Sequence, residues 1–245
     1  MAIRLPSRSA FRWTLGIFFF AALIPASAGA QKIIGSVTGF EHLENPVWSE
    51  AKDPQRKGYS FREMVPTVPA KYRRLYPHIP KEMCLVALSS SEQKPQLPTL
   101  IRVGGGRTTP VTIVVTPGTK LVFENTDPFK HRLYIDGDPN FPPNDTIKGG
   151  KREWTASQPG TYEIRDEFAP SLRMWVVAEP NAAAIAYPSM KGAFKLDVEE
   201  PGEYRVQAYF AGEKVGPAVP AVVEKRDVAL KPIVVARPEA KKEAE

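Results

Sequence analysis

"VTPGTKLVFENTDPFKHRLYI" (115–135) decides how the rest of the chain is read. Pro117-Gly118 is a turn, because proline presets the first central dihedral of a type II turn and glycine accepts the positive φ of the second. The run Leu121-Val122-Phe123 is then a strand that ends at Asn125. Asp127-Pro128 turns the chain again, and His131 opens the next strand, Leu133-Tyr134-Ile135.

Outward from this stretch the same grammar repeats. Twenty-five prolines and 17 glycines in 245 residues argue against long helices. Short apolar runs predict strands near 32–38, 83–88, 99–103, 111–116, 119–125, 131–135, 152–156, 161–165, 172–178, 193–199, 203–210, 219–225 and 227–235. Alternation is clearest at Phe194, Leu196 and Val198, and at Tyr204, Val206, Ala208 and Phe210, a period that buries one side of each strand. Two more Pro-Gly turns, in "QPGTYEIR" and "EPGEYRVQ", are expected to be type II as well. The fold class is therefore all-β, built of β-sandwiches. An alternative for "NAAAIA" (181–186) is about two turns of helix joining two sheets.

The first thirty residues read as a secretory signal peptide: Arg4, Arg8 and Arg12, the apolar run "WTLGIFFFAALI" (13–24), and Ala28-Gly29-Ala30 as the cleavage site. The run is too short for a membrane span. Loss of that leader removes three arginines and no acid, so the formal charge falls from +6 to +3. Export argues against nucleic acid as a partner. Cys84 is the single cysteine, so no internal disulfide framework exists, and within "MCLVAL" it reads as a buried thiol. Residues 237–245 read as a disordered charged tail.

The motifs P-x-G-T, F-x-N-x-D-P with a following histidine, and the later P-G-x-Y strand resemble the cupredoxins, in particular plastocyanin-like or methylamine-utilisation-like secreted bacterial proteins. The resemblance covers a domain at 83–180 and implies a cupredoxin-like Greek-key sandwich with His131 in the place of the first copper ligand. It also implies a Cys-x-x-His-x-x-Met loop, which the chain lacks. Counted back from "MWVVAEP", the cysteine, second histidine and methionine positions fall on Arg165, Phe168 and Ser171. Shifted by one residue, they fall on Asp166, Ala169 and Leu172. Met174 lies beyond the loop, and His42 and His78 lie outside the motif. The resemblance therefore implies a copper site that has been lost, with no metal and no cofactor.

"GAFKLDVEEPGEYRVQAYFAGEKV" and "AVVEKRDVALKPIVV" resemble carboxypeptidase-regulatory-like or transthyretin-like modules, implying a smaller β-sandwich at 183–236. That module either stands alone or includes "KIIGSVTG" (32–39), and the second arrangement makes the cupredoxin-like part an insertion.

Three remaining features are read from the residues. "DGDPN" (136–140) matches the first spacings of a calcium loop but has Phe141 in place of the required glycine, so it reads as a turn. "GGG" (104–106) reads as a flexible hairpin tip. Residues 45–82 form a proline-rich loop with eight cationic and four acidic side chains interleaved with aromatics. Its Tyr72, Arg73, Arg74 and Tyr76 are the candidates for binding an envelope protein or an anionic glycan or lipid surface. No catalytic constellation is visible. The expectation is an exported, non-enzymatic binding or structural protein of the periplasm, the cell envelope or the exterior. The rivals are a copper-binding electron-transfer protein and a glycan-binding accessory module.

Overall fold

The structure, a computed structural model, describes residues 30–47 and 77–235. Strands dominate, with a 3-10 turn at Phe40–His42 and a single helical turn at Ile79–Glu82. Among the described residues no helix is long and apolar enough to cross a membrane.

One sandwich is built from β3 (Thr99–Gly104), β4 (Arg107–Thr109), β5 (Thr112–Val115), β6 (Lys120–Asn125), β7 (His131–Ile135), β8 (Asn144–Thr146), β9 (Lys151–Thr155), β10 (Gly160–Asp166) and β11 (Arg173–Ala178). Its sheets run β4-β3-β6-β9 and β5-β11-β10-β7-β8. Between them lie Ile101, Leu121, Phe123, Leu133, Ile164 and Met174. The other sandwich uses β1 (Gln31–Thr38), β2 (Met83–Ser89), β12 (Ala182–Ala186), β13 (Ala193–Val198), β14 (Gly202–Phe210), β15 (Glu213–Val223), β16 (Val228–Ala229) and β17 (Ile233–Val234). Its sheets run β13-β1-β16, with β17 also on β1, and β12-β2-β14-β15. Ile33, Val37, Leu85, Ala87, Leu196 and Val206 fill its core.

The sequence pattern explains which strands meet water. In β13 every second residue is buried, and the strand has one solvated face. In β2, β5 and β11 the apolar run is nearly unbroken, because a third core lies between the two sandwiches. Cys84, Val86 and Leu88 point into it from β2, meeting Val114, Val177 and Tyr209. Strand β2, expected by sequence to open the cupredoxin-like segment, hydrogen-bonds instead with β12 and β14 of the other sandwich. Likewise β1 pairs antiparallel with β13. The chain thus leaves one sandwich after β2, builds the other, and returns at β12.

Two expectations need correction. "NAAAIA" forms strand β12 rather than a helix, because pairing with β2 outweighs alanine's helical preference. Of the Pro-Gly pairs, only Pro117-Gly118 makes the expected turn, with φ +86° at the glycine and Thr119 N–H donating to Thr116 O at 3.1 Å. Gly160 and Gly202 are instead the first residues of strands and pair with Ala178 and Val223. The expected hairpin tip at "GGG" is present as a two-residue turn, with Gly104 paired to Arg107 and positive φ at Gly105 and Gly106. "DGDPN" is indeed a turn: the Asp138 carboxylate accepts from Asn140 N–H at 2.8 Å and from Trp154 Nε1–H at 3.1 Å.

Candidate functional site

The corner between β6 and β7 is organised by Asn125. Its side-chain Nδ2 donates to the carbonyls of Phe129 and Thr146, both at 2.8 Å, and its Oδ1 accepts from Asp127 N–H at 2.8 Å. That closes an Asx turn and aims the Asp127 carboxylate inward. Asp127 Oδ1 accepts from Gly105 N–H at 2.9 Å, tying the β3–β4 hairpin to this corner. Gly104 fits because a Cβ there would collide with Thr126 Oγ1.

His131 follows, fully buried at 0% exposure. Its Nε2 lies 3.0 Å from Asp127 Oδ2, and its Nδ1 lies 2.7 Å from Asp166 Oδ2. Each ring nitrogen therefore has a carboxylate oxygen within hydrogen-bonding distance. Asp166 is held by further donors. Arg132 N–H reaches the same oxygen at 3.2 Å, while Phe168 N–H and Ala169 N–H reach Oδ1 at 2.7 and 2.9 Å. A buried polar group is tolerated when it is hydrogen-bonded in this way. Three loops are therefore stapled through one imidazole: 104–106, 125–131 and 166–169.

Strand pleat decides which residue faces the histidine. Ile164 and Asp166 are buried, whereas Arg165 between them points outward and donates from Nη2 to Glu163 at 2.8 Å. Of the two residues that the sequence count allowed, Arg165 and Asp166, it is Asp166 that stands beside His131. Phe168 is 46% exposed, with the Lys130 ammonium 5.1 Å and the Arg132 guanidinium 4.7 Å from its ring centre. Ser171 is exposed, and Met174 is fully buried in the core. His42 is exposed beside Glu41, 3.7 Å away, and His78 precedes the helical turn. Tyr72, Arg73, Arg74 and Tyr76 lie outside the described residues.

These donors do not fit a blue-copper ion, which needs a thiolate and two free imidazole nitrogens. Both nitrogens of His131 are engaged by carboxylates. Cys84, the only thiol in the chain, lies in the third core, where burial pushes it up to about 12. Among the described residues no group of three or more His, Cys, Asp or Glu is arranged to hold a metal ion. Sequence reading missed Asp127 and Asp166 as partners of His131. The missed signal was parity: the apolar Ile164 places Asp166 on the core face.

No protein-family model matches this chain, and no curated protein matches it. Among solved structures it is similar to a reduced amicyanin variant, at 19% identity over 38% of this chain and 99% of that one, TM-score 0.31. It is similar to the amicyanin of Paracoccus versutus at 15% identity, over 38% and 97% of the two chains, TM-score 0.31. A purple cupredoxin from Nitrosopumilus maritimus matches at 19% identity, over 33% and 99%, TM-score 0.28.

Proposed function

We propose that the protein is an exported, non-enzymatic binding or structural component of the cell envelope, built on a copper-free cupredoxin-like sandwich beside a second, carboxypeptidase-regulatory-like one. The observation that carries this reading is the occupation of both His131 nitrogens by Asp127 and Asp166, at 3.0 and 2.7 Å. In a cupredoxin the metal draws the loops at one end of the sandwich together. Here an imidazole hydrogen-bonded on both sides performs the same mechanical task and leaves no electron carrier. The leader-like first thirty residues support export, and the basic-aromatic stretch 45–82, with Tyr72, Arg73, Arg74 and Tyr76, supports a partner-binding role.

The test is addition of Cu(II) to the purified mature protein. The expected result is no intense visible thiolate-to-copper band. Appearance of that band with one copper per chain would overturn the reading in favour of electron transfer.

A further inference from the structure

The second sandwich covers only part of the five-stranded sheet. Val114 of β5 and Val177 of β11 lie beneath it in the third core, and its β14–β15 tip reaches Thr161 of β10, whose Oγ1 donates to Gly212 O at 3.3 Å; past that contact a cleft borders the β10–β7 side. There β7 ends at Ile135, opposite Ile164, but β10 runs back to Gly160. Residues 161–163 consequently have β11 on one side and no strand on the other. In an antiparallel ladder successive residues turn their N–H and C=O alternately toward the two sides. At least one residue of 161–163 therefore presents a main-chain donor and acceptor to the gap.

The gap is a cleft of about 530 Å³ bordered by the 136–140 turn and Ser157, a volume typical of small-molecule sites. Its groups sort by what they already hold. Both Asp138 oxygens are engaged, by Asn140 N–H and Trp154 Nε1–H. Glu163 is bound by Arg165 at 2.8 Å and by Arg173 at 3.2 Å. What stays available is the Asp136 carboxylate, the Asn140 amide, the Ser157 hydroxyl, the outer N–H groups of Arg165 and the main-chain edge. A cation finds one uncommitted acid there, and an anion finds a guanidinium already neutralised. Neighbouring donors and acceptors suit groups that donate and accept at once, and hydroxyls do both.

We propose that this cleft binds a saccharide about one or two sugar residues long. The proposal rests on the reading of the protein as a binding component, and it names the ligand class.

The experiment is an amide NMR titration of the mature chain with maltose, cellobiose and N,N′-diacetylchitobiose. The expected result is that at least one of them shifts amides confined to 135–140, 157 and 161–165. The double substitution Asp136→Asn with Asn140→Ala, both on an exposed turn, should leave the melting curve in place and weaken that sugar about tenfold. Absence of shifts with all three sugars, shifts centred elsewhere, or affinity unchanged in the double variant would each overturn the proposal. None of these outcomes touches the copper test, and a thiolate-to-copper band would overturn the copper-free reading whatever the sugars do.

Discussion

At the scale of single residues, Asp127 is a turn former by type and a charge carrier by position. Burial raises its carboxyl, but the N–H groups of Gly105 and Gly106 and the His131 ring together outweigh that and hold it below its ordinary 3.8. Asp145 is drawn down to about 2 by hydrogen bonds from Arg132 and Lys130. A carboxyl lowered on folding contributes stability that is complete above its unfolded value and lost as pH falls through its folded one. The urea midpoint should therefore be flat from neutrality to about pH 4 and fall below it, and Asp127→Asn should flatten part of that acid limb. A wild-type midpoint that holds steady down to about pH 2 would refute this. Asp145 contributes little to the limb, since its pairs are solvent-exposed and screened. At this scale the histidine was legible and its partners were not. His131 follows an Asp-Pro turn that sequence shows directly, whereas Asp166 depends on which side of β10 each residue takes. Counting positions back from β11 allowed Arg165 or Asp166, and the pleat chooses between them.

At the scale of elements, strand existence was legible and strand pairing was not. Alternation in β13 marks one wet face, whereas the alternating sequence of β14 is buried on both faces from Val206 to Phe210 because its far side meets the third core; Pro117-Gly118 and Asp127-Pro128 punctuate the runs. Strands β4, β8 and β12 escaped, the first two because three residues each carry too little pattern. Nothing local in "MCLVAL" says which sandwich will hold it; an apolar run shows only that both faces are covered. The β14–β15 hairpin supplies a prediction here. Its turn places Ala211 at φ +50° and Gly212 at φ +78°, and Ala211 N–H donates to Thr112 Oγ1 at 3.2 Å. A Cβ at 212 would come within 2.8 Å of Thr161 Cγ2 and 2.9 Å of Trp175 Cδ1. Gly212→Ala should cost about 1–3 kcal/mol in urea unfolding, from strained backbone and a displaced tip. Ala211→Asn should gain up to about 1 kcal/mol, because asparagine tolerates the left-handed region better. Equal, near-zero effects from both would show that the hairpin tip is not seated on the neighbouring sandwich.

At the scale of the whole molecule, the two sandwiches share the apolar layer of Cys84, Val86, Leu88, Val114, Val177 and Tyr209. Paired domains usually move relative to one another unless their interface is large and hydrophobic, and here β2 has one face in each core. Unfolding should thus be a single transition, with calorimetric and van't Hoff enthalpies equal. Hydrogen exchange of β6 amides should report the same global opening as that of β1 amides; two separated transitions would contradict a shared core. The order of strands has one more consequence, and it is mechanical. Strand β1 lies parallel to β16 and β17, joined at Ile33–Val228, Ile34–Ala229, Val37–Ile233 and Thr38–Val234. Tension applied before β1 and after β17 pulls these strands past each other along their length. The rungs between them are then sheared together rather than unzipped one by one, and the nine strands from β3 to β11 lie off the line of force. A tether anchored through these two ends would hold until that one seam slips, with the saccharide cleft still folded.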